Sequence, residues 1–135
     1  MVIVDTNIIL DVLSGDPNWA EWSDAQLKAC AARDRLVIND IVFAELSVGY
    51  DRIEELDDVL EIMGLPMAPI PRPALFLAGQ AFKRYRESKG TKSGVLPDFF
   101  IGAHAAVEGA TLLTRDTRRY RRFFPTVALV TPQAS

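Results

Sequence analysis

Apolar residues along the chain fall into two rhythms. Short continuous apolar runs occupy residues 2–4, 36–38, 67–70, 111–114 and 127–130. Unbroken runs of this length predict strands buried on both faces, as in a parallel sheet. Between them the apolar positions recur at helical spacing. One helix is predicted over 17–33, with Asp16 as N-cap and Pro17 at its first position. Others are predicted over 40–50, over 51–63 with Gly64 closing it, over 72–89 ending at Gly90, and over 98–108 ending at Gly109. Residues 118–123 read as a short turn or helix stopped by Pro125, and Asp5, Thr6 or Asn7 would cap a helix entered at Ile8. The alternation predicts a three-layer α/β sandwich, a mainly parallel five-stranded sheet flanked by helices, with residues 1–135 as one domain. The loop over 88–97 is rich in Gly, Ser and Lys and leads into Asp98.

Composition adds bounds rather than an identity. With 135 residues, 49% hydrophobic and 24% charged, the chain is an ordinary globular one with enough length for a substantial core. No apolar stretch approaches the ~20 residues that span a bilayer. Asp5 interrupts the N-terminus before a signal-peptide core forms. A single cysteine, Cys30, excludes an internal disulfide or a cysteine-rich metal site and reads as a core residue. A cytoplasmic location without a membrane fits this. His104, alone in an alanine-rich helix, reads as a packing residue, and the serines lack any triad context.

Charge is unevenly spread. The net charge of −3 speaks against a polyanionic partner, yet the bases cluster. Arg115, Arg118, Arg119, Arg121 and Arg122 lie within eight residues, while acids collect over 51–61. Such a distribution can bind a polyanion locally. Arg115, Arg118 and Arg119 are therefore candidate contacts to a phosphate backbone. Tyr120 and Phe123, interleaved among them, are candidates to stack bases, and Phe123 and Phe124 equally read as core. Trp19 and Trp22 share a helix face and read either as core or as a groove for a partner helix.

The chemistry concentrates in four acids set in apolar surroundings: Asp5, Glu45, Asp98 and Asp116. Asp5 ends the first strand and Asp116 follows the strand over 111–114. Asp98 opens a helix, and Glu45 lies in one with Ile41, Val42 and Val48 at helical spacing, so it is expected to face inward. Each has an ordinary alternative: Asp5 and Asp98 as N-caps, Glu45 as a surface glutamate, Asp116 as a partner of Arg115 or Arg119. Their joint placement at strand ends is where ligands bind in open parallel sheets. Embedded carboxylates are costly unless a cation meets them. At ~4 Å and an effective dielectric of ~20, each carboxylate pair repels by about 4 kcal/mol, so at least one should have a raised pKa. An all-oxygen acidic cluster suits Mg²⁺, with Mn²⁺ as a substitute.

Four stretches carry a resemblance that covers nearly the whole chain: VIVDTNIIL at 2–10, VFAEL at 42–46, LPDFFIGA at 96–103 and LTRDTRRYRRFFP at 113–125. The first and last are the more specific. Together they resemble PIN domains, and specifically VapC-type toxin ribonucleases of bacterial toxin–antitoxin pairs. The resemblance implies that Asp5, Glu45, Asp98 and Asp116 are the catalytic quartet, with Thr114 in support and Asn7 beside it. Asp5, Asp98 and Asp116 are the expected metal ligands; Glu45 ligates or orients a water. It also implies Mg²⁺-dependent cleavage of RNA phosphodiester bonds by an activated water, homodimerisation, and inhibition by a small VapB-like antitoxin. The main alternative is a non-catalytic PIN-like RNA-binding module. A haloacid-dehalogenase-type phosphatase wants a second aspartate two residues after Asp5, where Asn7 stands. A structure-specific DNA nuclease would need clamping elements that this length does not provide.

Overall fold

In the computed structural model, which describes residues 1–88, 90–91 and 94–132, the N-terminus enters the middle of the molecule. Strand β1 (Val2–Val4) is wholly buried. It pairs in parallel with β2 (Leu36–Val37) on one side and with β3 (Thr111–Leu113) on the other. β3 in turn pairs in parallel with β4 (Leu129–Val130), giving the order β2-β1-β3-β4. The apolar runs are buried because the sheet is flanked by helices, which is why they show no alternation. Crossovers run outward in opposite directions from β1 and β3, so the strand order reverses between them. Right-handed connections then put the β1–β2 crossover on one face and the later ones on the other.

The expected fifth strand over 67–70 is not formed. Met67 makes a single parallel bridge to Ile38, with hydrogen bonds from Ile38 N to Pro66 O (3.0 Å) and from Ala68 N to Ile38 O (2.8 Å). Pro69 and Pro71 follow, and without an N–H they cannot extend the ladder.

Between the strands lie α1 (Thr6–Ser14) and α2 (Ala20–Ala31), then α3 (Asp40–Ser47), α4 (Ile53–Met63), α5 (Arg72–Glu87) and α6 (Leu96–Glu108), and last α7 (Arg118–Phe123). Helix α1, which follows β1 directly, has Asp5 as its N-cap, and Gly15 closes it in a left-handed conformation. Asp16 caps the turn leading into α2, accepting from the N–H groups of Asn18 and Trp19, and the helix itself starts at Ala20. Gly64 and Gly109 end α4 and α6 with positive φ, as expected of their positions. Helix α6 begins at Leu96, so Asp98 lies within its first turn and is not the N-cap. The loop over 88–97 falls partly outside the described residues.

The core spans both faces of β1, with Ile3, Ile8, Ile9, Leu112 and Phe99 buried. Phe99 packs edge-on against Phe82, Phe123 and Phe124. Burying a side chain of this size contributes about 2–3 kcal/mol. Gly102 makes this packing possible: a Cβ there would lie 2.4 Å from the Phe124 ring. Phe123 and Phe124 are thus core residues. Cys30 is buried, and His104 is buried with its Nδ1 3.1 Å from the Asn39 side-chain amide. Burial pulls the His104 pKa down, consistent with a neutral packing residue. Among the described residues no helix is long and apolar enough to cross a membrane.

Candidate active site

The carboxyl ends of β1 and β3 sit side by side at the point where the strand order reverses. Asp5 leaves β1 there, 4% exposed. Its Oδ1 accepts the Thr6 N–H at 2.8 Å, and its Oδ2 accepts hydroxyls from Thr114 at 2.7 Å and Tyr120 at 3.1 Å. Asn7 Nδ2 approaches the same oxygen at 3.5 Å, and Asn7 Oδ1 accepts the Arg115 N–H at 3.2 Å. Thr114 Oγ1 also accepts the Asp116 N–H at 3.0 Å, which ties the turn after β3 to Asp5. Burial raises the Asp5 pKa to about 6; the charge of Asp98 adds to this, and the donors from Thr114, Thr6 and Tyr120 pull against it. The donors are all neutral, so they moderate the desolvation of the carboxylate without cancelling its charge.

Tyr120 departs from its expected role. Far from offering a ring for base stacking, it is 1% exposed and points its hydroxyl at Asp5. Burial raises its pKa well above the usual value, and the charges of Asp5, Asp98 and Asp116 add to the effect. The charges of three of the four expected acids thus act on one phenol, and Asp5 contacts it directly. The signal in the sequence was an aromatic four positions after Asp116, one helical turn on.

Asp98 and Asp116 differ from Asp5 in having a cation. Arg119 on α7 donates to Asp98 Oδ2 from Nε at 3.1 Å and from Nη2 at 2.6 Å, and Nη2 also reaches Asp116 Oδ2 at 3.4 Å. Burial raises the Asp98 pKa against the lowering effect of Arg119, and Asp116 pushes it further up. For Arg119, burial pulls the pKa down, but the hydrogen bond and charge of Asp98 outweigh it and the net shift is upward. The guanidinium remains charged.

Glu45 is placed differently from the expectation. Helix α3 buries the stripe through Val42 and Leu46, and Glu45 lies exposed at its margin rather than facing inward. It is still tied to the site, because the Thr6 hydroxyl donates to its Oε1 at 2.6 Å. Among the described residues, no three acidic, histidine or cysteine side chains are grouped so as to hold a metal ion. The donor set nonetheless has the chemistry of a hard-cation site: buried or half-buried carboxylates that repel one another, with one arginine between two of them.

The arginine run divides by position. Arg115 turns away and donates to buried Asp11 from Nε (2.7 Å) and Nη2 (2.9 Å), with Ser23 completing Asp11 at 2.7 Å. Its guanidinium lies 5.0 Å from the centroid of the half-buried Trp19 ring, which meets Trp22 edge-on at 6.0 Å. Trp19 is thus a platform for Arg115. Arg118, Arg121 and Arg122 are exposed.

Comparison with protein families matches residues 2–123 to the PIN domain. The chain belongs to the PIN-domain family. None of the curated proteins matches it. Solved structures similar to it include VapBC2 from Rickettsia felis bound to a DNA fragment from their promoter (23% identity, 98% of this chain and 100% of that one, TM-score 0.75). VapBC-1 from nontypeable Haemophilus influenzae is similar at 20% identity over 97% and 98%, with TM-score 0.73. A toxin–antitoxin complex from Klebsiella pneumoniae is similar at 25% identity over 98% of both chains, with TM-score 0.67.

Proposed function

We propose that this chain is a VapC-type toxin, a Mg²⁺-dependent endoribonuclease silenced by a small VapB-like antitoxin. The observation that carries this reading is the chain of contacts at the strand-order switch: Thr114 bonds buried Asp5 and accepts the Asp116 N–H, and Arg119 links Asp116 to Asp98. Family membership supports nuclease chemistry, and the kinship in fold to the Klebsiella toxin–antitoxin complex supports the toxin reading. Asp5 and Asp98 would hold the cation, with Asp116 next and Glu45 at the margin as a further ligand or as a guide for water. When bound, Mg²⁺ or Mn²⁺ would supply an activated water and stabilise the charge developing on the phosphate. The chain's own residues set the stage. Thr114 and Tyr120 fix Asp5, Asn7 holds the turn that carries Asp116, and exposed Arg118 with Arg119 contacts the RNA backbone.

The expected test is cleavage of single-stranded RNA with and without chelator. Asp5→Asn and Asp98→Asn should each lower metal-dependent cleavage by roughly 10²-fold or more while melting as folded proteins. Normal cleavage by either folded variant overturns the assignment. The lack of three grouped ligands among the described residues is what would favour a non-catalytic RNA-binding module, and RNA binding without any cleavage would select it.

The partner is inferred to insert an arginine into the acidic site, whose carboxylates suit a planar guanidinium. Self-association into a homodimer belongs to the same reading. Co-expression with the small reading frame adjacent to this one should yield a complex without nuclease activity. Failure of that product both to co-purify and to suppress cleavage would end the toxin assignment and leave the nuclease one standing.

A further inference from the structure

Arg119 occupies a place in the acidic cluster that the proposed chemistry does not require. Its guanidinium bonds Asp98 through two nitrogens and reaches Asp116 through one of them. Arg115, the neighbouring arginine, is committed to Asp11, so Arg119 supplies the counter-charge for this acid pair. We propose that Arg119 is an internal competitor for the cation site: it pairs with Asp98 and Asp116 in the resting protein and leaves them when a divalent metal binds.

The inference rests on the nuclease reading of the same carboxylates and adds an order of events to it. Arg119, Asp98 and Asp116 side chains are 29%, 25% and 41% exposed. Bonds at this depth are strong enough to populate one arrangement, yet water and a cation can reach them. A divalent ion carries more charge in a smaller radius than a guanidinium, so it wins once its own dehydration is met by several carboxylates. The displaced guanidinium stays tethered to α7, the helix that also carries exposed Arg118, Arg121 and Arg122. There its fork suits an RNA phosphate. One movement thus opens the acids and adds a phosphate contact, so metal and RNA binding reinforce each other.

The test uses the full chain with Mn²⁺ alone, followed by calorimetry and electron paramagnetic resonance. Arg119→Gln should bind Mn²⁺ about tenfold more tightly than wild type, equivalent to ~1.4 kcal/mol. Arg119→Lys, which keeps the charge and loses the fork, should fall between them and serves if the glutamine variant does not fold. The Arg119 Nε–H resonance should be protected in metal-free protein and lose protection on adding Mg²⁺. Mn²⁺ should tighten RNA binding in wild type more than in Arg119→Gln. Equal or weaker Mn²⁺ affinity in both variants overturns the competition while leaving the nuclease reading intact. So does tighter binding with the Nε–H unchanged, since that is through-space repulsion alone. If Mn²⁺ binds to neither protein, both this inference and the metal-dependent reading fail.

Discussion

Two halves of one acidic site are held in opposite ways. On the strand side, Asp5 is buried among neutral donors from Thr6, Thr114 and Tyr120. On the helix side, Asp98 and Asp116 are half-open and answered by a charged arginine. Neutral donors at the start of α1, just past β3 and on α7 meet Asp5 from three sides of the chain and leave its negative charge in place. An arginine on a short surface helix gives charge balance that another cation can replace. A site that must bind a cation and release it gains from having both: a rigid acid that stays charge-hungry and a pair whose neutraliser can move.

A third arginine–carboxylate contact sharpens the comparison. Asp11 is as buried as Asp5, but Arg115 meets it through two nitrogens. Arg115→Ala should therefore have the largest effect on stability, lowering it by about 3 kcal/mol, because a buried carboxylate would lose its charged partner. Chemical denaturation measures this. A loss as small as that for exposed Arg118→Ala would show that Arg115 is a surface charge free for RNA. Because Arg115 precedes Asp116, the loss should also loosen the turn that positions it.

The strand side should reveal itself in pH dependence. With a folded pKa of about 6 against 3.8 unfolded, Asp5 keeps its proton in the native state where the unfolded chain has lost it. Stability of metal-free protein is thus favoured by this group below pH ~4 and falls as pH rises through about 6, by up to about 3 kcal/mol. Asp5→Asn should remove that segment of the pH profile and hold or raise stability at neutral pH. An identical profile for the two proteins, measured by melts in chelator, would place the carboxylate in a solvated setting.

Thr114→Val should act in the opposite direction and more weakly. Losing one donor to Asp5 should cost about 1–2 kcal/mol and move the acid transition to higher pH. If the transition stays in place, the 2.7 Å contact does not hold Asp5 in solution. The smallest effect is expected from Arg118→Gln. It should weaken RNA binding without regard to sequence and lower the salt slope by roughly one counterion or less. An unchanged slope marks Arg118 as a solvated charge only.

Much of this was legible along the chain. Continuous apolar runs gave β1, β2, β3 and β4, and Gly64 and Gly109 marked helix ends, because burial and backbone freedom act locally. Asp5, Asp98 and Asp116 stood out as acids at element boundaries, and the resemblance to PIN domains agreed with the family match. The strand expected over 67–70 reduces to one bridge, because Pro69 and Pro71 lack the donors that an apolar run needs to pair.

What the tertiary structure decided is which charge meets which. Five clustered arginines look equivalent in one dimension, yet Arg115 is directed to Asp11 on α1, Arg119 to Asp98 on α6, and Arg118 to solvent. Tyr120 read as a surface ring among bases and proved to be the phenol that Asp5 leans on, and Glu45 read as inward and lies at the rim. Sequence sets the inventory and the local periodicity. Partners separated by 21, 104 or 115 positions are chosen only when packing fixes the directions of side chains whose hydrogen bonds are short-ranged and angular.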